Sequence, residues 1–230
     1  MTGKLLLSQV QRRELERALL KNYSIGGATV IITGRQFSRA KQTAQRIDPT
    51  ERCVIPMEAD VRDHLSVKAL IDNTVEQFGG LHMLVNNAGI TGPHGINICD
   101  YSIDDWNDVI NTDLSGTFFG LKYGIPAIIQ SGGGAIVNLS SSNGIVGIPG
   151  IAPYTTAKHG VLGLTRSVAL EFADKGIVNR QNSMSLCLIY YRRKSIIRLK
   201  RVQTWTRTVA TFYRWRLCMN YKIVFSNKYH

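Results

Sequence analysis

Residues 81–89 read Leu-His-Met-Leu-Val-Asn-Asn-Ala-Gly, and their reading decides the fold. The run 81–85 is apolar and of strand length, and it stops at a turn of Asn and Gly. Residues 135–144 have the same form, Ala-Ile-Val-Asn-Leu followed by Ser-Ser-Ser-Asn-Gly. Working outward, further strand runs at 28–32 and 53–57 alternate with helical patterns at 37–47, 64–78, 102–130 and 154–173. In 64–78, Val67, Leu70, Ile71 and Val75 share one stripe, and Gly79-Gly80 closes it. Strands alternating with helices imply right-handed βαβ units. The expected class is α/β, a doubly wound parallel sheet covered on both faces.

The 230 residues are 44% hydrophobic and 19% charged, enough for one sizeable core. No apolar run approaches the roughly 20 residues of a membrane-spanning helix, and the first seven residues are too short for a secretory signal. Cys53, Cys99, Cys187 and Cys218 lack metal-ligand spacing and are too sparse for a disulfide scaffold. No metal site is expected, and the expected location is cytoplasmic. The net charge of +12 is unevenly placed. Residues 177–230 hold 12 Lys and Arg, no Asp or Glu, no Gly and no Pro, while 1–176 hold all 21 Gly and all six Pro. Two regions are therefore expected, a body at 1–176 and an irregular or helical basic tail at 177–230.

In a doubly wound sheet, ligands sit beyond the carboxyl ends of the strands. Asn87, Ala88 and Gly89 follow one strand, and Ser141 follows another. Tyr154 and Lys158 open the next helix four residues apart, hence on one face. A phenol is mostly protonated at neutral pH, and a neighbouring ammonium favours its ionised form. Tyr and Lys so placed are a chemically meaningful pair. The spacing alone is weak, since Tyr190 and Lys194 repeat it in the tail.

Taken together, Val30-Ile31-Ile32-Thr33-Gly34-Arg35, Asp60-Val61, 84–89, 136–141 and 154–158 make residues 27–176 resemble the short-chain dehydrogenase/reductase family, in its compact form. The resemblance implies a Rossmann-like fold and NAD(P)-dependent interconversion of a small-molecule alcohol and carbonyl. It implies Tyr154 as acid/base, Ser141 as the hydrogen-bond partner of the substrate oxygen, and Lys158 as the holder of the nicotinamide ribose. Asp113 falls where the family pattern carries a catalytic Asn, making it the fourth candidate. Cofactor contacts implied are Arg35, Asp60, Val61, Asn87, Ala88, Gly89, Tyr154 and Lys158. Arg35 stands where a 2′-phosphate would lie, and Thr33 and Gly34 offer no carboxylate for a free 2′-hydroxyl, which favours NADP over NAD. A homo-oligomer is implied through helices near 103–130 and 154–174.

Two segments depart from the family pattern. Its glycine motif after the first strand lets a helix N-terminus approach the pyrophosphate, yet no glycine lies between Gly3 and Gly26. The interval has the length of the missing strand, loop and helix but the wrong residues, which two compensating frame changes flanking 5–26 would produce. The tail likewise lacks the family's Pro-Gly turn, so impaired catalysis is expected. The alternative is a non-catalytic scaffold whose basic tail, with Trp205 and Trp215, binds nucleic acid or a membrane surface.

Overall fold

Val30, Ile31 and Ile32 are wholly buried, as β-branched residues in a strand covered on both faces should be. They lie in β1 (Thr29–Gly34) of a computed structural model that describes residues 28–50 and 52–172 and the strands at 177–182, 186–191 and 222–226. Side chains of a strand alternate between faces, and β1 shows it. Ile31 joins one core with Leu70, Ile71, Leu84, Leu121 and Ile125. Val30 and Ile32 join a second, with Ala40, Ala44, Ile47 and Val54. Each fully buried Leu or Ile contributes about 1.5–3 kcal/mol.

Four further elements follow in the expected order: α1 (Phe37–Ile47), β2 (Val54–Glu58), α2 (His64–Phe78) and β3 (Met83–Asn86). Helix α2 begins where the Asp63 carboxylate accepts the Leu65 N–H at 2.9 Å. It ends at Gly79, whose φ of 77° no β-carbon obstructs. The expected helix over 102–130 is continuous but not uniform. It comprises α3 (Ile103–Ile110), a π-helical turn at Asn111–Ser115 and α4 (Gly116–Gln130). Beyond it come β4 (Ala135–Leu139) and α5 (Ala152–Glu171).

The tail corrects the sequence reading. It contributes three strands, β5 (Ile177–Asn182), β6 (Leu186–Tyr191) and β7 (Lys222–Ser226), where irregular or helical structure was expected. The sheet order is β2-β1-β7-β3-β4-β6-β5. Strand β7 runs parallel to both neighbours, with Thr33 and Asn86 each in register with Ser226. An Ile-Val-Phe run suits a slot between two buried strands. The dense basic residues of the tail masked this run in composition. Strand β6 is antiparallel to β4 and to β5, so the sheet is parallel except at that edge. Tyr190 lies in β6, so the second Tyr-x-x-x-Lys copy does not start a helix; Lys194 lies outside the described residues.

Candidate active site

Because β1, β7, β3 and β4 are parallel, their carboxyl ends open on one side, and the candidate residues collect there. Ser141, 8% exposed, follows β4 and enters a short 3-10 turn at Ser142–Gly144. The Asn143 N–H donates to Ser141 Oγ at 3.3 Å, which leaves the serine's own proton to be donated elsewhere. Tyr154 and Lys158 lie in the first two turns of α5, both buried. The turn and the helix meet closely, since Ser140 Oγ donates to the Lys158 carbonyl at 3.0 Å. Gly144 is required there, because a β-carbon would stand 2.8 Å from that carbonyl.

Lys158 is the hub. Its Nζ donates to the Leu139 carbonyl at 3.1 Å, lies 3.0 Å from Asp113 Oδ2, and sits 5.4 Å from the centre of the Tyr154 ring. The distance to the ring is within cation–π range. Asp113 is fully buried within the π turn; its Oδ1 accepts the Ile90 N–H at 2.6 Å. Oδ2 meets Lys158 as an ion pair by distance yet receives no directed hydrogen bond. Gly89 lets this pair pack beneath the turn after β3, for a β-carbon would meet Asp113 Oδ2 at 2.7 Å and Lys158 Nζ at 3.1 Å. Asn87 and Gly89 are buried and Ala88 is half-buried. The structure thus gathers Asp113, Lys158, Tyr154 and Gly89 in direct packing, with Ser141 on the adjoining turn.

The remaining candidates stand at the neighbouring strand ends. Arg35 is exposed just past β1, and Ala59 donates to Gly34 across the ends of β1 and β2 at 3.1 Å. Burial works to raise the Asp60 carboxyl's pKa, but hydrogen bonds and charge from Arg62, with the more distant charge of Arg35, outweigh it and hold the group below its usual range. Arg62 bonds Asp60 at 2.9 Å and Asp108 at 3.2 Å. Val61 packs under the first residue of α4, Gly116.

Two supports went unread in the sequence. Ser140, in the same triplet as Ser141, holds the Lys158 backbone. A buried polar chain also runs from Asn86 Nδ2 to Asn138 Oδ1 at 2.8 Å and from Asn138 Nδ2 to Thr165 Oγ1 at 3.0 Å. Asn138 inside a run that reads as a buried strand was the available signal; Asn86 reads as part of the turn after its run and proves to be the last residue of β3. Buried amides need such partners.

The described residues fit the nicotinamide end of a dinucleotide. Beyond its two contacts, Lys158 retains a further N–H, and the Tyr154 hydroxyl makes no hydrogen bond among the described residues. Residues 5–26, where a phosphate cradle would lie by resemblance, are outside the described residues. Among the described residues no cluster of His, Cys, Asp or Glu could hold a metal, and no helix is long and apolar enough to cross a membrane.

Residues 15–183 match the short chain dehydrogenase family, and the chain belongs to that family. It is 39% identical over 152 residues to the cyclohexanol dehydrogenase of Acinetobacter sp. (strain SE19), covering 66% of this chain and 60% of that one. The chain therefore spans about 60% of that relative's length. Among solved structures, ElxO with NADP bound superposes with a TM-score of 0.64 at 36% identity, over 71% of this chain and 64% of that one. A short-chain dehydrogenase/reductase from Burkholderia phymatum in complex with NAD gives 0.63 at 24% identity, over 70% and 57%; it shows the fold alone. None of these matches supports the alternative of a basic binding tail.

Proposed function

We propose that the chain is an NAD(P)-dependent oxidoreductase acting on an alcohol/carbonyl pair, with Tyr154 as its acid/base. The observation that carries this reading is the buried Lys158, placed between the Tyr154 ring and Asp113 at the carboxyl ends of β3 and β4. A bound nicotinamide would supply the hydride acceptor for the alcohol carbon; the chain's own residues handle the oxygen and its proton. Ser141 donates its free proton to the substrate oxygen and orients it. Tyr154 accepts the hydroxyl proton as the carbonyl forms and returns it in the reverse direction. Lys158 stabilises the negative charge that develops on the phenol oxygen and offers its remaining N–H to the ribose hydroxyls. Balance is kept: alcohol and oxidised cofactor give carbonyl, reduced cofactor and one proton.

Arg35, exposed past β1, supports NADP as the preferred cofactor, with Asp60, Val61, Asn87, Ala88 and Gly89 at the neighbouring strand ends as its further proposed contacts. Between Ser141 and Tyr154 the chain exposes Ile145, Val146 and Ile148, which favours an apolar substrate and agrees in character with the cyclohexanol named for the Acinetobacter relative. The continuous helix of α3, the π turn and α4, with α5, is the proposed subunit interface, and the 44% exposure of Phe118 supports it.

The test is Tyr154→Phe. Turnover should fall about 10²–10⁴-fold, the usual contribution of a general acid/base, while cofactor affinity stays within two-fold. Equal turnover in the two proteins would reject the role.

A further inference from the structure

The side chains of Asp113 and Lys158 are 0% and 4% exposed, and each holds the other plus one neutral backbone partner. The other ion pairs among the described residues, Arg62 with Asp60 and Asp108 and Lys68 with Asp72, involve neither group. The floor of the site therefore carries no net charge. An uncharged Asn, as in the family pattern, would leave Lys158 as a buried cation without a counter-charge. The Asp has a cost, since two charges must be desolvated. Its Oδ2 lacks a directed hydrogen bond, so hydrogen bonding does not explain the carboxylate. Its distinctive contribution is the negative charge.

We propose that Asp113 is a positioning residue that cancels the charge of Lys158, so that the site accepts the oxidised nicotinamide ring as readily as the reduced one. This rests on the oxidoreductase reading above. The oxidised ring is cationic and the reduced ring is neutral. A like charge in a site shielded from water disfavours only the oxidised form, and the Asp113 carboxylate removes that bias. The Ile90 N–H holds the carboxylate beside Nζ, whereas the Thr117 hydroxyl donates to the Asp113 main-chain oxygen at 2.8 Å and braces the turn without touching the charge.

Calorimetric titration of the full chain with NADP⁺, NADPH, NAD⁺ and NADH, carried to millimolar concentration, gives the ratio of oxidised to reduced affinity. In Asp113→Asn that ratio should shift at least about ten-fold toward the reduced form, a floor for one uncompensated charge several ångströms away at an effective dielectric of about 20. Asp113→Ser, of different shape and equally uncharged, should shift it the same way and carries the measurement if the Asn variant does not fold. Thr117→Val disturbs the π turn without changing charge and should leave the ratio unaltered. A ratio unchanged in both Asp113 variants overturns the proposal, as does a Thr117→Val shift equal to theirs. Wild-type protein that binds neither form rejects the oxidoreductase reading and this proposal together, whereas binding of both forms with a ratio indifferent to residue 113 rejects only the charge-cancelling role.

Discussion

Asp48 shows how one carboxylate can organise a connection. It ends α1 and accepts the Thr50 hydroxyl at 2.5 Å and the N–H groups of Thr50, Arg52, Cys53 and Val54 at 2.7–3.3 Å. The Thr50 hydroxyl and then the Cys53 N–H, with the other amides, favour its ionised form, and its pKa falls from 3.8 to about 2. A carboxyl whose folded pKa is depressed stabilises the fold above its unfolded pKa and loses that contribution as pH falls through the folded value. Asp48 should therefore contribute fully above about pH 5 and progressively less from pH 4 to pH 2. Half-exposure screens the interaction, so about 1 kcal/mol is expected rather than the full shift. Urea melts of wild type and Asp48→Ala should show separate midpoints at pH 7 that converge near pH 2. A separation that persists at pH 2 would refute the account.

At the scale of elements, β7 is the decisive piece. It fills the gap between β1 and β3, and both neighbours present buried apolar residues and a full ladder to it. Without it, each would expose one edge in the middle of the sheet. Every buried backbone group left without a partner costs about 1–3 kcal/mol, and several such losses rival the 5–15 kcal/mol of an ordinary domain. Deleting residues 222–230 should abolish the cooperative thermal transition. It should also remove hydrogen-exchange protection at Val30, Ile31, Ile32, Leu84 and Val85. A truncated chain that melts at the wild-type temperature would show that β7 does not hold the sheet. The π turn is the other element of consequence, because it carries Asp113 to the floor of the site in mid-helix, as such turns do at functional positions.

For the whole molecule, the proposed nicotinamide end and the proposed phosphate end stand in contrast. The former is assembled from buried, mutually bonded groups. For the latter, the sequence has Gln9, Arg12, Arg13, Glu14 and Glu16 in the span where the family pattern has glycines, and side chains of that size are expected to keep backbone donors away from a diphosphate. NADP(H) should bind more weakly than micromolar, and NAD(H) more weakly still. Micromolar NADP affinity in a calorimetric titration would show that residues 5–26 build a phosphate site after all.

Periodicity alone determined much of this protein. Alternating strand and helix patterns placed β1 to β4 and the main helices within a few residues. The turns after β3 and β4 marked where Asn87 and Ser141 would stand. Local pattern suffices there because burial on two faces demands a continuous apolar run, and a helix a stripe every three to four residues. The tertiary structure decided the rest. Lys222-Ile-Val-Phe-Ser becomes a strand only because β1 and β3, which lie far earlier in the chain, leave a slot for it; no local signal carries that distance. The family pattern singles out Asp113, but its pairing with Lys158 arises only where the π turn, the absent β-carbon of Gly89 and the buried ammonium meet around it. The charge of a site is a sum over groups brought together from separate elements, so folding alone could set it.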